Sequence, residues 1–206
     1  MPNWTIETGK FLKSIERVKV MQNVGGYKYS YPVFMEYFNN IHLFKKDDLI
    51  LGINLVYAWM PTILWRGDKM PTDHQMNQAV EVVGKVFQNR HKSSHKLLSK
   101  GEIDLLKNVV NNSVVGTSKL LHFVAPGQYP IWDSRVHLFL KKITGARIGL
   151  GSTVQYLHYV NQVQILKGRL KENLDWTKFK NNHGLNDVQE IRAIEQAMFW
   201  AIKGQS

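Results

Sequence analysis

Residues 114–136 read VVGTSKLLHFVAPGQYPIWDSRV and carry the densest chemistry in the chain. Gly116 stands beside two hydroxyl residues, Thr117 and Ser118. An amine, Lys119, follows, and a carboxylate, Asp133, lies fourteen residues beyond it. Leu105-Leu106 and Val109-Val110 upstream, then Ser118–Val124, have the apolar spacing of helix, tight turn, helix. At such a turn Gly116 can take a positive φ at no steric cost and lets a phosphate approach free backbone N–H groups. Asp133 comes after the apolar Ile131-Trp132 and before Ser134–Leu140, where a helix N-cap belongs. A plain glycine corner or a plain cap explains either feature taken alone.

Outward from this stretch, helical periodicity dominates. Phe11, Ile15, Val18 and Met21 share one face of a first helix that stops near Gly25-Gly26. Tyr27-Lys28-Tyr29-Ser30-Tyr31-Pro32 reads as an aromatic loop, with Pro32 opening a helix over Val33–Phe44. Asp47-Asp48 begins an apolar helix to about Met60, before Pro61. Asp73 is placed to cap a long helix carrying Met76, Val80, Val83 and Phe87. A short helix follows over Glu102–Asn111. Further helices are expected from Ser118, over Asp133–Lys142, Ser152–Leu170 and Trp176–Asn181, and over Asp187–Lys203. Almost no stretch alternates with period two, so the class is all-α. The polar, basic Asn89–Lys100 is the best boundary between lobes. It gives one unit over 1–206 with lobes 1–90 plus the C-terminal helix, and 101–182.

The chain of 206 residues is long enough to bury a substantial core. It has no cysteine, which removes disulfides, zinc–thiolate sites, iron–sulfur clusters and cysteine catalysis together. The first residues lack an apolar signal core, and runs such as Leu49–Pro61 fall short of the roughly 20 residues that cross a bilayer. The expectation is a cytoplasmic protein that binds no membrane.

The formal charge is +11. From Lys85 to Lys119 there are seven Lys/Arg against Glu102 and Asp104, and from Arg135 to Lys180 nine against Glu172 and Asp175. Either run alone reads as a solvated face. Their bracketing of a glycine turn favours a nucleic-acid groove.

Helix, turn, glycine, lysine and helix, followed by an apolar link and a carboxylate opening another helix, resembles the helix-hairpin-helix DNA glycosylase superfamily. Ser118-Lys119-Leu120-Leu121-His122-Phe123 and Pro130-Ile131-Trp132-Asp133-Ser134-Arg135-Val136 most resemble its bacterial 8-oxoguanine-glycosylase-like branch. The match covers the motif. The remaining chain agrees only in being helical, basic and of suitable length.

The resemblance implies two helical lobes with a cleft between them. It implies excision of a damaged or modified base, an oxidised purine by branch, after the nucleotide is flipped out of double-stranded DNA. Val115, Gly116, Thr117 and Ser118 would grip the backbone, with Arg135 nearby. Asp133 would stabilise the oxocarbenium-like sugar, and Lys119 would attack C1′ to form a Schiff base. The hairpin keeps one glycine, and the lysine-to-aspartate link is short, so the nucleophile position falls on Lys119 or on Ser118. With serine there, Asp133 would activate water and no lyase step would follow. Trp132, Tyr57, Trp59 and Trp65 supply aromatic faces for a flipped base, though large aromatics more often fill cores. His122 and His137 read as satisfied packing residues. No spacing suggests a metal site and no cofactor is implied. A monomer acting on a bacterial or phage-like nucleoid is expected, with a non-catalytic DNA-binding module as the alternative.

Overall fold

A computed structural model describes residues 2–19, 27–60, 62–65, 70–92 and 96–203, and the regular elements among them are all helices. In chain order they are α1 (Thr8–Ile15), α2 (Tyr27–Asn39), α3 (Lys46–Tyr57), α4 (Asp73–Gln88) and α5 (Lys100–Val109). Then come α6 (Val114–Val124), α7 (Ser134–Thr144), α8 (Thr153–Leu170), α9 (Leu174–His183) and α10 (Glu190–Lys203). The all-α expectation is met. Among the described residues no helix is long and apolar enough to cross a membrane.

The helices form two compact units. One is split in sequence, Met1–Asn23 with Pro130–Ser206, and holds α1 and α7 to α10. The other, Val24–Tyr129, holds α2 to α6. The divisions therefore fall at Asn23 and Tyr129, not in the basic connector at 89–100. That connector joins α4 and α5, which pack on each other inside the inserted unit.

In the split unit α10 packs against α7, α8 and α1. Phe11 of α1 meets Phe139 of α7 edge-on at 6.1 Å and Trp176 of α9 at 5.8 Å. In the inserted unit α6 is the hub, touched by α2, α3, α4 and α5. Every residue from Gly116 to Val124 is buried. A helix enclosed on all sides must be apolar or satisfied all round; Thr117 and Ser118 bond within α6, and Lys119 and His122 bond to neighbouring segments.

Local capping chemistry sets most helix starts. Thr72, not Asp73, caps α4: its hydroxyl accepts from Gln75 N–H, and its own N–H donates to the Gln75 side chain. Asp73 is the first helical residue and pairs with Lys46 at 2.6 Å. Ser99 and Glu102 form the same reciprocal box at α5, and Ser113, Ser152 and Asn173 cap α6, α8 and α9. Gly145 and Gly184 end α7 and α9 with left-handed φ of 68° and 66°.

The aromatic segment from Tyr27 to Pro32 is helical, not a loop, because α2 starts at Tyr27 and carries Pro32 within it. An interior proline forfeits one helical hydrogen bond. Packing of Tyr31 and Phe34 on Trp59 and Phe123 offsets that loss. The first helix ends at Ile15, well before Gly25-Gly26, so Val18 lies beyond it; Met21, Gly25-Gly26 and Pro61 lie outside the described residues.

The turn between α5 and α6 also differs from the sequence reading. Its left-handed residues are Asn111 (φ 53°) and Asn112 (φ 54°), whereas Gly116 sits one turn inside α6. A Cβ added at Gly116 would lie 2.8 Å from Val110 Cγ1, so glycine is needed there for close packing. A helix-interior Gly→Ala exchange otherwise gains up to about 1 kcal/mol, while overpacking a core costs about 1–3 kcal/mol. Gly116→Ala is expected to lower unfolding stability by about 1–2 kcal/mol, since the valine methyl is stiff. Gly84→Ala in α4, where nothing lies within 4 Å, should raise it by up to about 1 kcal/mol. Urea unfolding of both variants reads the contrast.

Candidate active site

Asp133 closes the buried run Pro130-Ile131-Trp132 in the split unit. Its extended backbone (φ −131°, ψ 179°) turns the side chain back over the first turn of α7. There Oδ1 accepts from the N–H groups of Arg135 and Val136, both at 2.9 Å. Two backbone donors on one oxygen fix the carboxylate at the positive end of α7. The side chain is half-buried, and among the described residues no protein donor meets Oδ2. The group is thus held firmly on one oxygen. The Arg135 guanidinium lies 4.5 Å over the Phe199 ring.

Trp132 precedes Asp133 in the buried run. It is fully buried, its Nε1–H donates to Leu150 O at 2.7 Å, and its ring meets Tyr159 at 5.1 Å and His137 at 5.9 Å. Its role is core packing, so it offers no face to a flipped base. The Tyr159 hydroxyl is buried with no hydrogen-bond partner among the described residues. Burial first, then the Glu195 and Asp133 carboxylates, hold it well above the usual phenol range. His137 Nε2 bonds Ile148 O at 2.7 Å, a satisfied packing residue as read from the sequence.

The hairpin residues belong to the inserted unit. Thr117 and Ser118 are fully buried, and their hydroxyls donate to the carbonyls of Ser113 and Val115, each at 2.8 Å. The Gly116 N–H donates to Ser113 Oγ at 3.0 Å. Only Val115 is half-exposed. The expected grip is therefore corrected for Gly116, Thr117 and Ser118, whose donors are spent inside α6. Lys119 is 8% exposed, and its Nζ donates to Trp59 O at 3.1 Å.

Around Lys119 the fold gathers an aromatic group that the sequence did not join. Trp59 stacks on Tyr31 at 6.0 Å and on Phe34 at 5.4 Å, and Phe123 meets Trp59 edge-on at 5.1 Å. His122 is fully buried, with Nδ1 2.9 Å from Tyr129 O and Nε2 2.9 Å from Tyr31 OH. A carbonyl only accepts, so Nδ1 carries a proton, and Nε2 pairs with the Tyr31 hydroxyl. The tyrosine run at 27–31 is the sequence signal for this pairing, and a loop reading of that run hides it.

The other aromatic candidates divide. Tyr57 is buried and donates to Val110 O at 3.2 Å, a core role. Trp59 and Trp65 are half-buried, their indole N–H groups held by Ser30 Oγ and Val109 O. Within the inserted unit the geometry therefore unites Lys119 with Trp59. In the split unit it joins Asp133 to the N–H groups of Arg135 and Val136. No family model, no curated protein and no solved structure matches the chain.

Proposed function

We propose that this chain is a DNA glycosylase of the helix-hairpin-helix type, removing a damaged or modified base by flipping it from the duplex. The observation that carries the reading is the carboxylate of Asp133: one oxygen on two backbone N–H groups, the other without a protein donor among the described residues. A fixed anion of this kind stabilises positive charge growing at C1′ as the C1′–N bond breaks and the electron pair leaves with the base. The basic stretch from Arg135 to Lys180 supplies attraction for the phosphate backbone.

Lys119 is the proposed amine for a subsequent lyase step. Its Nζ must leave the Trp59 carbonyl, form a bond to C1′ as the base departs, and lose a proton. Opening of the sugar ring then gives a protonated imine. Ser118 is less suited to the nucleophile position, because its hydroxyl is fully buried and bonded within its own helix. Without the imine, Asp133 would assist water and the enzyme would be monofunctional. One feature favours a non-catalytic DNA-binding reading: the two hydrogen bonds to Asp133 are also what a simple helix cap makes.

A panel of duplexes, each with one oxidised, alkylated, deaminated or hypermodified base, tests the reading by release of free base. No release from any duplex would leave the binding module. Borohydride separates the two catalytic versions, because hydride adds to the imine carbon and fixes protein to DNA. A trapped adduct that disappears in Lys119→Ala is the expected result. Abasic sites formed without an adduct would assign the monofunctional version.

A further inference from the structure

With the α6 hairpin buried, DNA needs another seat. The longest acid-free stretch in the chain runs from Ser134 to Lys171, with seven Lys/Arg and no Asp or Glu. The fold turns its first part outward: Val136, Phe139 and Leu140 are buried in α7, while Ser134, Leu138, Lys141, Lys142 and Arg147 are exposed. At the far end of α7, Lys142 lines a surface cavity of about 260 Å³ with Lys13, Ser14, Glu16 and Arg17, above Phe139. Lys13 and Arg17 make no ion pair among the described residues.

Cations at helix C-termini also offset the negative end of the helix dipole. That demand is about half a charge per helix, roughly one charge for α1 and α7 together. Glu16 adds one more. Against this stand Lys13, Arg17 and Lys141, which alone leave about one positive charge in excess, counting each terminus at that half charge. The surplus faces solvent at one end of a helix whose other end is Asp133.

We propose that the exposed face of α7, with the Lys13–Arg17–Lys142 cavity, seats the phosphate backbone of duplex DNA. This deepens the glycosylase reading, and the register with Asp133 rests on it. From Asp133 to Lys142 the helix rises about 13 Å at 1.5 Å per residue, or about four base-pair steps at 3.4 Å. The cavity therefore lies within the length of duplex that a site at Asp133 would hold.

The test is fluorescence anisotropy with a labelled, undamaged 20-base-pair duplex at several salt concentrations. The triple variant Lys13→Gln, Arg17→Gln, Lys142→Gln is expected to bind at least tenfold more weakly than wild type. Its log–log salt slope should fall by about two to three, at roughly 0.9 for each phosphate that is no longer neutralised. The charge-matched control Lys45→Gln, Lys92→Gln, Lys96→Gln, at exposed positions of the inserted unit, should change affinity less than threefold. Equal losses in both triples, no loss in either, or no binding by the wild type would overturn the proposal. Loss of binding to anionic phospholipid vesicles with duplex binding intact would overturn it in favour of a membrane surface. An unchanged thermal midpoint shows that the triple variant is folded. Undamaged DNA requires no excision, so the expected contrast together with failure of every base-release assay would sink the glycosylase reading and leave the DNA seat standing.

Discussion

Asp133→Asn is expected to reduce base release by about 10²- to 10³-fold while leaving duplex affinity and fold stability nearly unchanged. The magnitude is that of removing one group positioned to stabilise charge in a transition state. The change isolates charge from structure. Asparagine caps helices about as well as aspartate, and its carbonyl oxygen can keep both bonds now made by Oδ1 to Arg135 and Val136. Single-turnover release of free base from the best duplex of the panel gives the rate, and anisotropy gives binding. Full activity in Asp133→Asn would remove the carboxylate from the chemistry and leave it as a cap. Asp133→Ala is the structural companion. It should also lose about 1 kcal/mol of stability, because both N–H groups lose their acceptor.

Trp132→Ala carries the largest expected loss of stability, about 3–5 kcal/mol for emptying a site of this size. The indole is fully buried against Tyr159, Tyr156 and His137. Its removal also leaves Leu150 O without the donor it now has at 2.7 Å, which adds about 1 kcal/mol. Domains of this size hold only about 5–15 kcal/mol in total, so the variant should unfold at markedly lower denaturant. Trp132→Phe keeps most of the packing and removes the N–H, and should fall between wild type and alanine. A small effect of Trp132→Ala in urea unfolding would show that the site collapses freely, against the close packing seen around it.

The N-cap at Asp133 is legible from sequence because capping is local. An acceptor two or three residues before its N–H donors, with a proline and apolar residues ahead of it, is enough to specify the turn. The capping boxes at Thr72 and Ser99 are equally local, and the offset from Asp73 to Thr72 is one residue. The role of Gly116 is not legible. A lone glycine between apolar runs signals a turn by default, and here two asparagines take the left-handed positions while glycine admits Val110. The helical state of the segment from Tyr27 to Pro32 is hidden too. Proline and repeated tyrosines suggest a loop until the partners Trp59 and Phe123, 27 to 96 residues away in sequence, are brought against them.

By itself, then, the sequence determined the all-helical class, the starts of α3, α4, α7 and α8 to within a residue, and the cap at Asp133, since each depends on residues within a few positions of one another. It also determined the basic character of the chain and the acid-free stretch after Asp133, which are matters of composition. Only the tertiary structure decided which of the motif's groups reach solvent. It enclosed Thr117, Ser118 and Lys119 by packing α2 to α5 around α6, and joined Tyr31 to His122. It also set Lys13 and Arg17 beside Lys142. Burial is a sum over contacts between segments far apart in the chain, and no local pattern contains that sum.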